Sequence, residues 1–213
     1  MKNVVIMGKG DLAIKISDWF LKSEDYNLSY IVPVLPEPVW TSSISKYAES
    51  KGVKIIDSGH YKDVPENVQI DLAFSIFYDK IIKQDFIDRC GKIINLHNSP
   101  LPMYRGVSPI NWALKDGRDE HGITIHEITK GIDDGPIISQ IKYSIYPEID
   151  EVEDVYKRAQ SYGYTLFEQT IPNLYKIKAK EQSGDFIYHP SSEDHLLGDR
   201  RFFNRLKIKK ESE

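Results

Sequence analysis

Asn95 and His97 stand two positions apart at the end of an apolar run from Lys92 to Leu96, followed by Asn98-Ser99-Pro100-Leu101-Pro102-Met103-Tyr104-Arg105-Gly106. Further on, Gly131-Ile132-Asp133-Asp134-Gly135-Pro136 adds carboxylates. The run reads as a buried strand, and residues two apart on a strand share one face. The Pro and Gly cluster ends that strand, so the pair sits at its carboxyl end, where ligands bind in open α/β sheets. An Asn amide can donate to a developing oxyanion. An imidazole can move a proton near neutral pH, and an Asp can hold and charge that imidazole. Standing alone, Asn95 would be a turn residue, and Asp133 and Asp134 would be ordinary turn carboxylates.

The elements that position these groups are legible as alternating patterns. Apolar runs at Asn3–Met7, Leu28–Val34, Lys54–Ile56, Asp71–Ile76 and Ile93–Leu96 read as strands, most of them buried on both faces. Leu12, Ala13, Ile16, Trp19 and Phe20 form one helical stripe, and Ile44, Tyr47 and Ala48 another, behind Thr41-Ser42-Ser43 as a cap. Such alternation predicts an α/β fold, doubly wound and Rossmann-like, around a mostly parallel sheet. Beyond Gly122 the period changes to two. Ile123 to Ile128 and Ile137 to Tyr143 read as a terminal antiparallel strand pair with Asp133 near its tip. A long helix follows from about Val152, restarted near Ile171 by Pro172, and the chain from Glu181 is loop-like.

Other residues carry weaker signals. Gly8-Lys9-Gly10-Asp11-Leu12-Ala13 mimics a dinucleotide turn, but the strand ending at Val32-Pro33-Val34 brings no ribose-binding acid. The turn can still cradle a phosphate at a helix start, with Lys9 adding charge. His97, His121 and His126 could be written with Asp133 as a metal site, yet no pair has the i, i+4 ligand spacing of a helix. No metal is expected. His121 reads as a loop residue and His126 as a strand residue near the site.

Taken together, these motifs resemble the folate-dependent formyltransferase family: glycinamide ribonucleotide transformylase, methionyl-tRNA formyltransferase and the sugar N-formyltransferases of surface-polysaccharide pathways, O-antigen and lipopolysaccharide among them. That family carries Asn-x-His, a Ser-Leu-Leu-Pro-x-Tyr/Trp-x-Gly loop and a Leu-Asp-x-Gly turn. The matching residues here are Asn95-Leu96-His97, Ser99 to Gly106 and Ile132-Asp133-Asp134-Gly135, with Gly117, His121 to His126 and Ile138-Ser139-Gln140 in register. Pro100 stands where the family has Leu. The resemblance runs from about Lys2 to Lys178, most clearly from Asp71 to Gln140.

The resemblance implies formyl transfer from 10-formyltetrahydrofolate to an amine, with Asn95 as oxyanion donor, His97 as proton carrier and Asp133 as its support. It implies a pterin site made largely of backbone at Phe77, Tyr78, Asp79 and Ile81, faced by Thr129, Lys130, Gly131 and Ile132. Lys9, Gly10, Tyr104 and Arg105 are the expected substrate contacts, with Lys9 and Arg105 serving phosphates in one crevice opposite the pterin loops. The longer Gly-Asn-Gly-Ser-Asn type of loop of the ribonucleotide enzyme is missing at Gly8, and the tRNA enzyme's further domain is not expected here. The expected substrate is therefore an amino-deoxysugar on dTDP or a similar nucleotide. Another small amine, of ribonucleotide type, is the alternative, and a nucleotide-binding oxidoreductase on the same fold is a second.

Composition bounds the rest. In 213 residues, 40% are hydrophobic and 28% charged, which suits a globular chain with a genuine core. Lys and Arg number 28 against 32 Asp and Glu, so the net charge is −4 and gives no global case for nucleic acid or a membrane surface. No apolar run approaches a bilayer span, Met1 opens a strand rather than a leader, and Cys90 is the lone cysteine. The expectation is a cytoplasmic enzyme whose partners are folate and a sugar nucleotide, a homodimer being left open. Residues 1–180 are expected to form the catalytic domain and 181–213 a short C-terminal extension. The tail from Asp199, with Arg200, Arg201, Arg205, Lys207, Lys209 and Lys210, reads as a solvated end.

Overall fold

The structure, a computed structural model, describes residues 1–205. Lys207, Lys209 and Lys210 of the basic tail lie outside the described residues. Among the described residues nine strands form: β1 (Lys2–Gly8), β2 (Tyr26–Pro33), β3 (Lys54–Ile55), β4 (Leu72–Ile76), β5 (Ile93–His97), β6 (Arg105–Gly106), β7 (Glu120–Glu127), β8 (Ile137–Ser144) and β9 (Tyr188–His189). The helices are α1 (Gly10–Lys22), α2 (Ile44–Lys51), α3 (Gln84–Ile87), α4 (Pro109–Lys115) and α5 (Val152–Thr170). Seven strands run in the order β3-β2-β1-β4-β5-β7-β8, and β6 pairs with β9 separately. The chain divides into two compact units, Met1–Leu96 with Ile125–Gly131, and His97–Thr124 with the chain from Ile132 onward.

In the first unit the pairs β1–β2, β1–β4, β2–β3 and β4–β5 are all parallel. Their continuous apolar runs suit a sheet covered on both faces: Val4, Val5, Ile6 and Met7 are fully buried, as are Leu72, Ala73 and Phe74. Strand order reverses between β1 and β4, the switch point at which α/β sheets bind ligands. Register aligns the ends there, Gly8 with Ile76 and Ile76 with Leu96. Gly8 is needed at this junction, because a Cβ on it would lie 2.2 Å from the Ile76 carbonyl oxygen. Helix α1 starts directly after that turn, and Ser43 caps α2 by accepting from Lys46 N–H.

In the second unit Glu120 pairs with Lys142 while Gly122 lies against the Ile141 carbonyl, so β7 and β8 run in opposite directions. Helix α5 buries Val155, Ala159, Leu166 and Phe167, and Pro172 turns its end into a short 3-10 segment, Ile171–Asn173. The segment after Glu181 is more ordered than a loop-like reading suggests. It supplies β9 and a run of 3-10 turns, Ser191–Arg201, and buries Leu197 in the second core with Trp112, Val152 and Val155. The solvated-tail expectation fails for two of its arginines. Arg200 donates to the Asp150 and Pro147 carbonyls, and Arg205 Nε lies 2.8 Å from the buried Glu151 carboxylate. The start of α5 needs those partners, because its backbone and acidic caps cluster there.

Candidate active site

His97 closes β5, and the loop that follows folds back so that the Tyr104 carbonyl meets its Nε2 at 2.9 Å. A carbonyl only accepts, so Nε2 carries the hydrogen and the other ring nitrogen is turned to Asp133. His97 Nδ1 lies 3.6 Å from Asp133 Oδ1, and both side chains are largely buried. The second carboxylate oxygen, Oδ2, accepts from Gly106 N–H at 2.9 Å. Asp133 takes φ +50°, a left-handed conformation that Asp tolerates better than most residues.

The loop between these groups is held by residues that carry no charge. Ser99 Oγ donates to the Met103 carbonyl at 2.7 Å. Thr124 Oγ1 donates to the Ser99 carbonyl and accepts from Leu101 N–H, and Gln140 Nε2 reaches both Thr124 Oγ1 and the Leu101 carbonyl. Gly106 has φ +91°, and a Cβ there would lie 2.2 Å from the His189 carbonyl oxygen, so only glycine fits where the loop passes β9. His121 is wholly buried and donates from Nε2 to the Asn98 carbonyl at 2.9 Å. Burial pushes its imidazole down to about 4, so it is neutral near pH 7.

Tyr104 is only 2% exposed, and its hydroxyl donates to Asp116 at 2.8 Å while accepting from Arg118 Nε at 2.9 Å. The expectation of a substrate contact through this ring is corrected: the side chain belongs to the core, and the backbone carbonyl is what reaches His97. Arg105 donates from Nε and Nη2 to Gln182 Oε1, at 3.1 and 2.8 Å, with its guanidinium 4.6 Å from the centre of the Phe186 ring.

In the first unit Asn95 sits beside Ser75 of β4, and its Nδ2 lies 3.1 Å from Nε2 of His126. His126 Nδ1 lies 2.9 Å from the Glu127 carbonyl, which only accepts, so Nδ1 holds the hydrogen. Nε2 is then the acceptor for the Asn95 amide, which orients it. Because β5 alternates, Asn95 and His97 leave the sheet on the same face. The switch-point turn brings Lys9 N–H to the Ile76 carbonyl at 3.3 Å, next to Phe77, Tyr78 and Asp79. Burial pulls the Lys9 ammonium below its ordinary value, and the Asp79 carboxylate opposes that. Lys9 and Gly10 therefore accompany the Phe77–Asp79 loop in this unit, whereas Arg105 and Tyr104 belong to the second.

Phe77 has φ +55°, and the Tyr78 hydroxyl donates to the Gly59 carbonyl at 2.8 Å while accepting from Tyr61 N–H. Asp79 and Ile81 are exposed, as are Lys130, Gly131 and Ile132, and Thr129 Oγ1 accepts from Gly131 N–H. Tyr78 and Ile128 pack on one hydrophobic cluster, which sets the Phe77 loop and the start of the Thr129 loop at the same side of the first unit. Among the described residues no three His, Cys, Asp or Glu side chains are grouped to hold a metal ion.

Residues 53–171, more than half of the chain, match the family described as formyl transferase. This chain belongs to the formyl transferase family. The bifunctional polymyxin resistance protein ArnA of Wigglesworthia glossinidia brevipalpis is 34% identical over 152 residues, covering 68% of this chain and 23% of that protein. This formyl transferase chain thus spans about a quarter of that relative's length. The N-formyltransferase from Helicobacter canadensis, in complex with folinic acid and dTDP-3-aminofucose, superposes with TM-score 0.79 and 25% identity over 91% of this chain and 72% of that one. The formyltransferase PseJ from Anoxybacillus kamchatkensis, with UDP-4,6-dideoxy-4-formamido-L-AltNAc and tetrahydrofolate, gives TM-score 0.66 and 26% identity over 97% of both chains. No helix among the described residues is long and apolar enough to cross a membrane.

Two further residues contact the expected groups, one within each unit. His126 orients Asn95, and Gln182 holds both Arg105 and the Asp133 turn. His126 carried a signal as part of His-Gly-Ile-Thr-Ile-His. Gln182 carried none, standing in a polar stretch far along the chain from either partner.

Proposed function

We propose that this chain transfers the formyl group of 10-formyltetrahydrofolate to the amine of a nucleotide-linked amino-deoxysugar. The observation that carries the reading is the His97–Asp133 pair, with Nε2 fixed by the Tyr104 carbonyl and the carboxylate fixed by Gly106 N–H. The substrate amine attacks the formyl carbon, and the Asn95 amide, aimed by His126, donates to the oxyanion that forms. His97 Nδ1 takes the proton released by the amine, and the Asp133 carboxylate 3.6 Å away stabilises the charge. The same proton then passes to the departing folate nitrogen, which closes the cycle.

Phe77, Tyr78, Asp79 and Ile81, with Thr129 to Ile132, are proposed to receive the pterin through backbone groups. Their fit rests on exposed loop backbone at the switch point and on the Tyr78 hydroxyl being engaged with Gly59 and Tyr61 rather than available to a ligand. Lys9, Gly10 and Arg105 are the proposed substrate contacts, with Tyr104 acting through its carbonyl alone. The H. canadensis and A. kamchatkensis proteins support the sugar-nucleotide class, since both were solved with a nucleotide sugar and a folate. The catalytic domain is proposed to span residues 1–180, the segment beyond contributing to the second unit. The setting proposed is the cytoplasm, and the product a formamido sugar for surface polysaccharide such as O-antigen.

The oxidoreductase alternative is disfavoured by Glu37, the first carboxylate after β2, which accepts from both Ser45 N–H and Ser45 Oγ at 2.9 Å rather than standing ready for a ribose. The test is a panel of dTDP- and UDP-linked amino sugars, with glycinamide ribonucleotide alongside, incubated with the protein and formyl donor. Added formyl mass on a nucleotide amino sugar is expected. Formylation of the ribonucleotide alone would select the other small-amine reading, and no formylation of any amine would reject formyl transfer.

A further inference from the structure

We propose that Gln182 is the positioning residue of this site, a single amide that fixes the Asp133 turn and aims Arg105. The inference rests on the formyl-transfer reading above for its kinetic consequences, and on the geometry of the second unit for its physical basis.

Every polar capacity of the Gln182 side chain is engaged. Nε2 donates to the Asp133 carbonyl at 2.9 Å and to the Gly135 carbonyl at 2.8 Å. Oε1 accepts from Arg105 Nε at 3.1 Å and from Nη2 at 2.8 Å. An amide has two donor hydrogens and two acceptor lone pairs, so this one is saturated. A carboxylate of the same length has no hydrogens for the two carbonyls, and a lysine has no acceptor for the guanidinium. The residue type follows from its partners.

The backbone that carries Gln182 is itself pinned. Two residues earlier, Lys180 and Ile137 exchange both backbone hydrogen bonds, at 2.7 and 2.8 Å. Just beyond, the Ile187 carbonyl accepts Arg105 N–H at 2.8 Å, the His189 carbonyl accepts Val107 N–H at 3.0 Å, and the Phe186 ring covers the Arg105 guanidinium. The segment from Lys180 to His189 therefore runs as a strap along the turn and the loop. Gln182 is the point where the strap touches both.

What this secures is the carboxylate. Asp133 sits at φ +50°, reaches Gly106 N–H at 2.9 Å and faces His97 Nδ1 at 3.6 Å. An ångström of drift in the turn would forfeit both contacts. Binding the carbonyls of Asp133 and Gly135, on either side of Asp134, prevents the turn from rocking. Arg105 meets a neutral partner instead of a carboxylate, so its charge is oriented without being cancelled and stays available to an anion.

The test uses Gln182→Ala and Gln182→Glu in the full chain. In Gln182→Ala, kcat is expected to fall roughly tenfold to a hundredfold while the formyl-folate KM stays near that of the parent. Its sugar-nucleotide KM should rise, because Arg105 is no longer aimed. Gln182→Glu brings no donors for the turn and sets a carboxylate on the Arg105 guanidinium, so kcat should drop as far and the sugar-nucleotide KM should rise at least as much, the formyl-folate KM again staying near the parent's. Loss of packing alone would lower the amount of active protein without producing that split.

Hydrogen exchange at the Gly106 amide reads the position of Asp133 without turnover. It should accelerate about tenfold in both variants relative to the Val5 amide of the first unit. Unchanged kcat together with unchanged Gly106 exchange would overturn the proposal. If the parent formylates nothing while Gly106 exchange still responds, the functional reading falls and the positioning role stands.

Discussion

The backbone carbonyl of Tyr104 lies 2.9 Å from Nε2 of His97 and thereby decides which nitrogen of the ring can work. With Nε2–H committed to an acceptor, Nδ1 is the nitrogen left to exchange a proton in the proposed reaction, and it is the one facing Asp133. His97→Asn and Asn95→Ala are expected to lower kcat by about a hundredfold or more each, with the fold retained. Near-parent turnover in either purified variant would remove that residue from the mechanism.

The pH profile follows from the same geometry. In the proposed reaction His97 accepts a proton, so the rate should decline on the acid side as the free enzyme's imidazole becomes protonated. Within the second unit it meets the Asp133 carboxylate, the Tyr104 carbonyl and neutral His121. The carboxylate attracts a proton to Nδ1, so Asp133→Asn should shift the acid limb to lower pH and reduce the plateau. An unmoved limb with chemistry shown to be rate-limiting would contradict the pairing.

Tyr104 should separate stability from substrate affinity. Tyr104→Phe keeps the carbonyl but leaves Asp116 and Arg118 without their shared hydroxyl, at a cost of about 1 kcal/mol. Denaturant titration should detect that loss while the sugar-nucleotide KM stays at the parent value. A large rise in that KM would return the ring to the substrate site.

His121 makes a separate contribution to acid sensitivity. Its folded imidazole is pushed down to about 4 by burial, below the ordinary value of 6.5, so the unfolded chain binds the extra proton first. The stabilisation is complete above about pH 6.5, declines as the pH falls towards about 4, and is on the order of 3 kcal/mol in total. His121→Phe should flatten that part of the stability–pH curve. Identical slopes for parent and variant in urea titrations between those limits would rule the assignment out.

Arg205 tests whether the end of the described chain is structural. It pairs with Glu151, whose side chain is only 5% exposed. Arg205→Ala removes the guanidinium but leaves the carboxylate its backbone N–H donors at the start of α5 and at residue 205, and should destabilise the protein by about 2 kcal/mol. A thermal midpoint equal to the parent's would restore the reading of this arginine as a solvated side chain.

The sequence by itself determined the strands' raw material and singled out the groups proposed to react. Continuous apolar runs declared strands buried on both faces, the change to a period of two after Gly122 declared the terminal pair, and Asn95, His97 and Asp133 stood out because their chemistry is local to each side chain. Backbone and remote partners were not legible in that way. That Tyr104 serves through its carbonyl while its ring is buried depends on Asp116 and Arg118, and on a loop folded back by Thr124 and Gln140. That Lys9 stands with Asp79 and Arg105 with Gln182 depends on the switch point between β1 and β4 and on the strap that ends in β9. A periodic pattern reports which face of an element is apolar. Only the tertiary structure decides which distant donor meets which acceptor, because a hydrogen bond requires two groups within about 3 Å and chain separation carries no trace of that distance.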